Sequence, residues 1–130
     1  AGVGWAVGRR SVDRTRGIDA AILAATSNPQ ATRVRLASGD GRRHVDAVLL
    51  PNGSGYLVDN NLPTLPDGRT YQLWGVIGGA KVSLGVLGNA PAKAAFAAKA
   101  DVAALAITAE RAGGVVASAE APVVSGSVRI

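Results

Sequence analysis

The sequence predicts a mainly β protein: an antiparallel β-sandwich of about eight short strands, preceded by one N-terminal helix. From residue 32 onward, short apolar runs recur at intervals of about ten residues, as in β-sandwiches. Clusters of Gly, Asn, Asp and Pro separate these runs and favour turns. Several runs alternate apolar and polar residues, which is the pattern of a strand with one buried face.

The helix is predicted over residues 11–26, where Ser11 can cap the first turn. Ile18, Ile22 and Ala25 form a modest apolar stripe, and Asn28-Pro29 ends the helix. The strands follow in chain order. They are predicted at residues 32–38, 44–50, 56–60, 71–77, 82–87, 102–110, 115–119 and 123–128, with a less regular pattern at 94–99.

The strand 71–77 is apolar on both faces, which is typical of a central strand between two packed layers. Its faces are formed by Tyr71, Leu73 and Ile77 on one side and by Gln72, Trp74 and Val76 on the other. After a Gly78-Gly79 turn, the next strand is expected to place Val82, Leu84 and Val86 on one face. The largest burial is expected at Leu73, Trp74, Leu84, Leu105 and Ile107, with Tyr56, Tyr71 and Phe96 adding aromatic core area.

The charge is unevenly distributed. The formal net charge is +5, and all of it lies in residues 1–43, which carry eight Arg against three Asp. From residue 44 the six basic and six acidic residues balance. A basic stem on a neutral body fits a connector beside an anionic membrane surface, and a solvated Arg-rich leader is the alternative. Nucleic acid is not an expected partner, because a DNA-binding domain places its basic stripe on the folded body.

Residues 1–10 are apolar up to Arg9-Arg10 and include Trp5. Spanning a bilayer takes about 20 residues, so this stretch alone is too short. It is expected to be the end of a truncated transmembrane segment, with a secretion remnant or a flexible tail as alternatives. The absence of Met and the start at Ala1 indicate a processed product or an excised piece.

Catalytic, cofactor-binding and metal-binding residues are not expected. The chain has no Cys, which excludes thiolate catalysis, Cys-ligated zinc and disulfides. His44 is the only histidine, lies next to Arg42-Arg43 at the start of a strand, and is expected to lack the partners for a metal site or a triad. Asp46 and Asp59 flank a hairpin and could face each other, but we expect both to be exposed to solvent. The Gly-Gly pairs are interpreted as turns and not as phosphate loops.

One motif is more specific. A proline-rich turn over residues 62–68, the run Tyr71-Gln72-Leu73-Trp74 and the later run 83–86 resemble the extracytoplasmic C-terminal domain of actinobacterial anti-sigma-K factors of the RskA type. The resemblance covers roughly residues 44–128. The resemblance implies a structural role for the Tyr71–Trp74 motif, and it implies no catalytic residue in this chain. Gly75 departs from the pattern, which has a larger apolar residue there, and is interpreted as a bulge or a close backbone approach.

This resemblance implies a sensory or regulatory domain and not an enzyme. The full-length protein would be a single-pass membrane protein that holds an extracytoplasmic-function sigma factor inactive through an N-terminal cytoplasmic domain absent from this chain. The present domain would lie outside the cell membrane and govern release of the sigma factor by regulated intramembrane proteolysis. Its partners would be a site-1-type protease, a signal protein or ligand, and the membrane surface near the stem.

The predicted division is residues 1–10 as a membrane-segment end, 11–31 as a basic helical juxtamembrane stem, and 32–130 as a β-sandwich sensory domain. The stem is expected to be mobile, loosely attached and open to proteases. The alternative function is a secreted carbohydrate- or protein-binding β-sandwich. In that case Tyr71 and Trp74 would form an exposed platform for a sugar.

Overall fold

The computed structural model describes residues 17–98 and 102–128. Within these ranges one helix, α1 (residues 17–27), precedes eight strands. The start of the predicted helix at Ser11 and the predictions for residues 1–10 lie outside the described residues. The strands are β1 (Thr32–Ala37), β2 (His44–Leu49), β3 (Ser54–Asn60), β4 (Arg69–Ile77), β5 (Ala80–Gly88), β6 (Ala94–Ala97), β7 (Ala104–Arg111) and β8 (Val124–Ser127).

All eight strands belong to one antiparallel sheet with the order β5-β4-β7-β8-β1-β2-β3-β6, and this sheet is nearly closed. The mainly β class, the antiparallel pairing and the preceding helix are therefore confirmed. The two halves meet where β8 pairs β1 through a single register pair, Ala37 with Ser125. Beside this pair a Cβ on Gly126 would collide with the carbonyl of Arg35, so only glycine allows the two backbones to approach so closely.

The hydrophobic core lies between the two halves of the sheet. Leu73, Leu105 and Ile107 are fully buried there, as predicted. The wider set of buried core residues combines β1–β3 with β4, β7 and β8 and comprises Val34, Leu36, Val45, Ala47, Leu57, Tyr71, Leu73, Ala98, Val102, Leu105, Ile107 and Val124. Tyr56 and Phe96 are only partly buried. Phe96 covers Gly55 on the paired strand, where a Cβ would overlap its ring.

The facing residues of β5 differ from the prediction. Two register shifts leave Leu84 and Leu87 without partners in β4, so the simple alternation is lost. Leu84 packs partly buried against the core beside Gly75, whereas Val86 lies on the opposite face near Gly114. The expectations that Val82, Leu84 and Val86 share a face, and that Leu84 is among the most buried residues, are therefore wrong. The interpretation of Gly75 as a bulge or a close backbone approach is also wrong: a Cβ there would lie 3.1 Å from Leu84 Cδ1, so the glycine makes room for a side chain.

The predicted strand at residues 115–119 is also absent. Residues 112–123, which we call the strap, have no regular structure and return across the outer face of β4 and β7. Val115 bonds to the side chain of Gln72, and Ser118 bonds to Glu110. The segment is therefore attached to the sheet through polar contacts and not through its apolar side chains, since Val116 is 96% exposed.

Helix α1 is anchored at two points. Asp19 accepts a hydrogen bond from Lys93, in the turn before β6, at 3.0 Å. Ala25 is buried, as is Val48, which points away from the core between the halves. Ala25 therefore marks the side of α1 that faces the body of the domain. Leu23, by contrast, is 68% exposed, so the attachment is one-sided.

Candidate functional site

The Tyr71–Trp74 motif directs alternate side chains to the two faces of β4, as its alternation predicts. Tyr71 and Leu73 point into the core. The Tyr71 hydroxyl donates a 2.6 Å hydrogen bond to the carbonyl of Pro63, which ties the proline-rich segment before β4 to the core. Burial raises the pKa of Tyr71, because the phenolate would lose its hydration. The tyrosine is therefore a neutral anchor and not an acid–base group.

Gln72 holds the strap. Its Nε2 donates to Ser83 Oγ at 2.7 Å and to the carbonyl of Val115 at 2.9 Å, and its Oε1 accepts from the backbone N–H of Val115 at 2.9 Å. The amide thus meets both backbone groups of Val115, as a strand neighbour would. Gly114 makes this contact possible, since a Cβ there would lie 2.8 Å from Val86 and 2.9 Å from Gln72, at a φ of +80°.

Trp74 lies on the same outer face, and its indole is fully buried. Its Nε1 donates a 2.9 Å hydrogen bond to Thr108 Oγ1, which is also fully buried. A sugar platform needs an exposed ring face, and the rings of Trp74 and Tyr71 are 0% and 1% exposed. These two residues therefore do not form the exposed platform that the alternative function would need, and their predicted burial is confirmed.

Glu110 holds the middle of the strap. Ser118 Oγ donates a short hydrogen bond to Glu110 Oε2. Burial of the carboxylate acts to raise its pKa, but hydrogen bonds from Ser118 and Thr108 and the charges of Arg69 and Lys81 outweigh it and lower the pKa. The carboxylate is thus held ionised and hydrogen-bonded, which suits a residue that fixes the strap to β7. It does not suit a general acid, which needs a raised pKa.

The outer face of β4 and β7, which the strap covers, has its buried polar side chains satisfied by hydrogen bonds. Its buried polar side chains are Thr70, Gln72, Thr108 and Glu110. In the part of the chain that the structure describes, every buried side-chain nitrogen and oxygen has a hydrogen-bond partner. None of the four therefore keeps a free buried donor or acceptor for a substrate or a cofactor.

A second polar group lies on the outer face of β2 and β3. Asp46 and Asp59 are direct register partners and face each other across the two strands; the expected solvent exposure holds for Asp59, at 72%, and only in part for Asp46, at 30%. His44 Nε2 lies 3.9 Å from Asp46 Oδ2 and 3.8 Å from Asp59 Oδ2. The expectation that His44 lacks partners is therefore wrong, because Asp46 shares its face of β2 and the sheet register brings Asp59 to the same place. These three side chains are the described residues that could hold a metal ion together.

The two carboxylates do not form an acid–base pair. Arg35 donates to both oxygens of Asp46, at 2.8 and 3.2 Å, and this hydrogen bonding lowers the pKa of Asp46. A paired-carboxylate mechanism needs one acid with a raised pKa in an apolar pocket. Asp59 is exposed, and the side chain of Asp46 is 30% exposed, so the structure provides no such pocket.

Comparison with known proteins bears on residues 1–123. The family model described as the anti-sigma-K factor RskA C-terminal domain matches this span. No curated protein and no solved structure matches the chain significantly. Among the described residues, no helix has the length and apolar character needed to cross a membrane. The match covers nearly the whole chain and contains the complete Tyr71–Trp74 motif. The chain therefore belongs to the RskA C-terminal family of anti-sigma factors.

Proposed function

We propose that this chain is the extracytoplasmic sensory and regulatory domain of a single-pass, membrane-bound anti-sigma factor. It controls when regulated proteolysis releases an extracytoplasmic-function sigma factor. The observation that carries the proposal is the family match, which spans the charged N-terminal segment as well as the β-domain. The sigma factor binds the missing N-terminal cytoplasmic domain and not this chain.

The chemistry of the domain supports a regulatory role without catalysis. The motif residues connect separate segments: Tyr71 fastens the proline-rich segment, Gln72 the strap and Trp74 strand β7. A domain built in this way transmits or resists a conformational change through its covering segments. It needs no cofactor for that purpose.

The contrast between stem and body supports regulation by proteolysis. Proteases cut mobile exposed backbone in preference to paired strands. Within the described residues, α1 is held by a partly exposed ion pair and a small buried face, whereas β1 pairs along its whole length with β2. We therefore place the cut of a site-1-type protease before β1, in the basic stem that lies near the membrane.

Limited proteolysis of the 130-residue chain tests this point. With trypsin, the first cuts should fall at the basic residues before α1, which are Arg9, Arg10, Arg14 and Arg16, and a fragment beginning no later than Gly17 should persist. Early cuts at Arg69 or Lys81, with the N-terminal region intact, would show that the stem is part of the stable body and would contradict the proposal.

Location can be tested by cysteine labelling, because the chain has no native Cys. In the full-length protein, Asn52→Cys in the exposed β2–β3 turn should react in intact cells with a membrane-impermeant maleimide. Thr108→Cys, at a fully buried position, is the matched control and should react only after denaturation. Labelling of Asn52→Cys only after cell lysis would place the domain inside the cell.

Control of a sigma factor is tested in cells with a sigma-dependent reporter. Replacing residues 32–128 in the full-length protein by an unrelated β-domain should uncouple the reporter from its inducing signal, while the N-terminal domain still binds the sigma factor. The alternative, a secreted binding module, predicts a cleavable signal peptide upstream of residue 1 and no effect on the reporter. The sequence upstream of the chain separates the two before any experiment.

A further inference from the structure

We propose that His44, Asp46 and Asp59 form a binding site for a divalent transition-metal ion of the Zn²⁺ type, on the outer face of β2 and β3. One imidazole nitrogen and two carboxylate oxygens are a ligand set that zinc accepts. The ligand atoms of the three residues already lie within 4.8 Å of one another. The site is independent of the proposed function, because it concerns only this chain's own residues.

The geometry is close to that of a bound ion. With the imidazole nitrogen 3.9 and 3.8 Å from the two carboxylate oxygens, a point equidistant from the three atoms lies at most about 2.5 Å from each. Zinc binds histidine nitrogen and carboxylate oxygen at about 2.0–2.2 Å. Small side-chain rotations therefore complete the contacts, and the half-exposed position leaves a fourth coordination place to water.

The backbone directs these three side chains to one place. His44 and Asp46 are two residues apart on β2 and so share a face. Asp59 reaches that face through a β-bulge. Asp46 pairs with Asp59, but the next residue, Ala47, pairs with Leu57, and Val58 is left unpaired. Without the bulge, Leu57 and Asp59 would point the same way, yet Leu57 is buried in the core. Bulges often redirect side chains beside functional sites.

Neighbouring groups orient the ligands. Arg35 donates hydrogen bonds to both oxygens of Asp46 and so orients that carboxylate beside His44. Carboxylates that bind metal ions are commonly oriented by such hydrogen bonds. Asn61 fixes the backbone of His44: its side-chain oxygen accepts from the His44 N–H at 2.7 Å, and its own N–H donates to the His44 carbonyl. With a neutral imidazole, Arg35, Asp46 and Asp59 together carry one net negative charge, which favours a cation.

The test uses the 130-residue chain without an affinity tag, titrated with ZnCl2 by calorimetry and followed by NMR of the imidazole nitrogens. Because His44 is the only histidine, the imidazole spectrum reports one residue. We expect one Zn²⁺ per chain and a shift of an imidazole nitrogen on binding. His44→Gln and Asp59→Asn should each weaken binding by about tenfold or more.

Asp40→Asn is the matched control, because Asp40 lies in the β1–β2 turn, bonded to Ser38 and Arg42, and is not a ligand. Asp40→Asn should leave the affinity for Zn²⁺ unchanged. Melting temperatures equal to that of the parent, measured without metal, show that all three variants fold. Mg²⁺ at the same concentration should not displace Zn²⁺, because Mg²⁺ disfavours imidazole. The site is excluded if no saturable binding occurs, if the two ligand variants bind as well as the parent, or if Asp40→Asn loses affinity equally.

Discussion

Two outer faces of the sheet carry polar side chains, and they differ in how those groups are used. On β4 and β7, Gln72, Thr108 and Glu110 are buried under the strap and their hydrogen bonds are satisfied. On β2 and β3, His44, Asp46 and Asp59 remain partly open to solvent and converge without a cover. A buried polar group must be satisfied because desolvation is costly, whereas an exposed group keeps capacity for a ligand. The covered face is thus structural, and the open face is free to bind.

This contrast predicts the largest loss of stability at Trp74. Trp74→Ala should lower the free energy of unfolding by about 3–5 kcal/mol, because it removes a fully buried indole and leaves a cavity. Denaturant unfolding measures the change. Val116→Ala, in the strap at 96% exposure, is the control and should shift stability by no more than about 0.5 kcal/mol. Equal effects of the two variants would mean that the face is not a packed layer.

The next largest effect is expected at Gln72. Gln72→Leu keeps a similar volume but leaves the N–H and carbonyl of Val115 without their partner, which should cost about 2 kcal/mol. Hydrogen exchange at the Val115 amide should accelerate, since the strap loses its anchor. Gln30→Leu, at an exposed position before β1, is the matched control. Unchanged protection of Val115 would show that the strap is held by other contacts.

A smaller, pH-dependent effect is expected at Glu110. Its pKa is lowered in the folded state, so the unfolded chain binds the proton more readily. The stabilisation is fully present above the unfolded pKa of about 4.3 and is lost as the pH falls through the folded value. At pH 7, Glu110→Gln should therefore be less stable by about 1 kcal/mol.

The difference between Glu110→Gln and the parent should shrink as the pH approaches 3, in thermal melts recorded between pH 3 and 7. Glu120→Gln, at an exposed position of the same strap, is the control. A difference that grows on acidification would have the opposite sign and would mean that Glu110 is destabilised in its ionised form.

The smallest effect on stability is expected on the open face. Without metal, His44→Gln and Asp59→Asn should each change the free energy of unfolding by no more than about 0.5 kcal/mol, as surface substitutions usually do. Chemical denaturation in the presence of a chelator measures this. A loss comparable with that of Gln72→Leu would show that the open face is as structural as the covered one.

Much of the strand pattern was predictable from local alternation. Strands β1 to β4 and β7 lie within one or two residues of the predicted positions, since each combines an apolar face with a turn at its end. The two-sided burial of Tyr71–Trp74 followed from apolar residues at successive positions. The motif also pointed to the family, which the match over residues 1–123 establishes.

The errors have two physical origins, and the first is the β-bulge. Alternation assumes an unbroken ladder, and a bulge shifts it by one residue. The bulges of β5 separate Leu84 from Val86, and the bulge of β3 separates Leu57 from Asp59. A bulge depends on the paired strand, so a single run of sequence does not reveal it. The run 115–119 was mistaken for a strand for the second reason: a local pattern does not reveal whether a neighbouring strand is present, and here the backbone of Val115 bonds to the side chain of Gln72 instead.

Sequence alone was therefore sufficient for the β class, the order of the strands along the chain, the stem-to-body charge contrast and the motif. These properties depend on neighbouring residues and their intrinsic preferences. Only the tertiary structure decided which groups meet. The side chain of Gln72 contacts the backbone of Val115, 43 residues away, and the side chain of His44 lies beside that of Asp59 across a hairpin. Contacts of this kind depend on strand register, which is selected by packing the whole sheet around its core, and no local pattern encodes it.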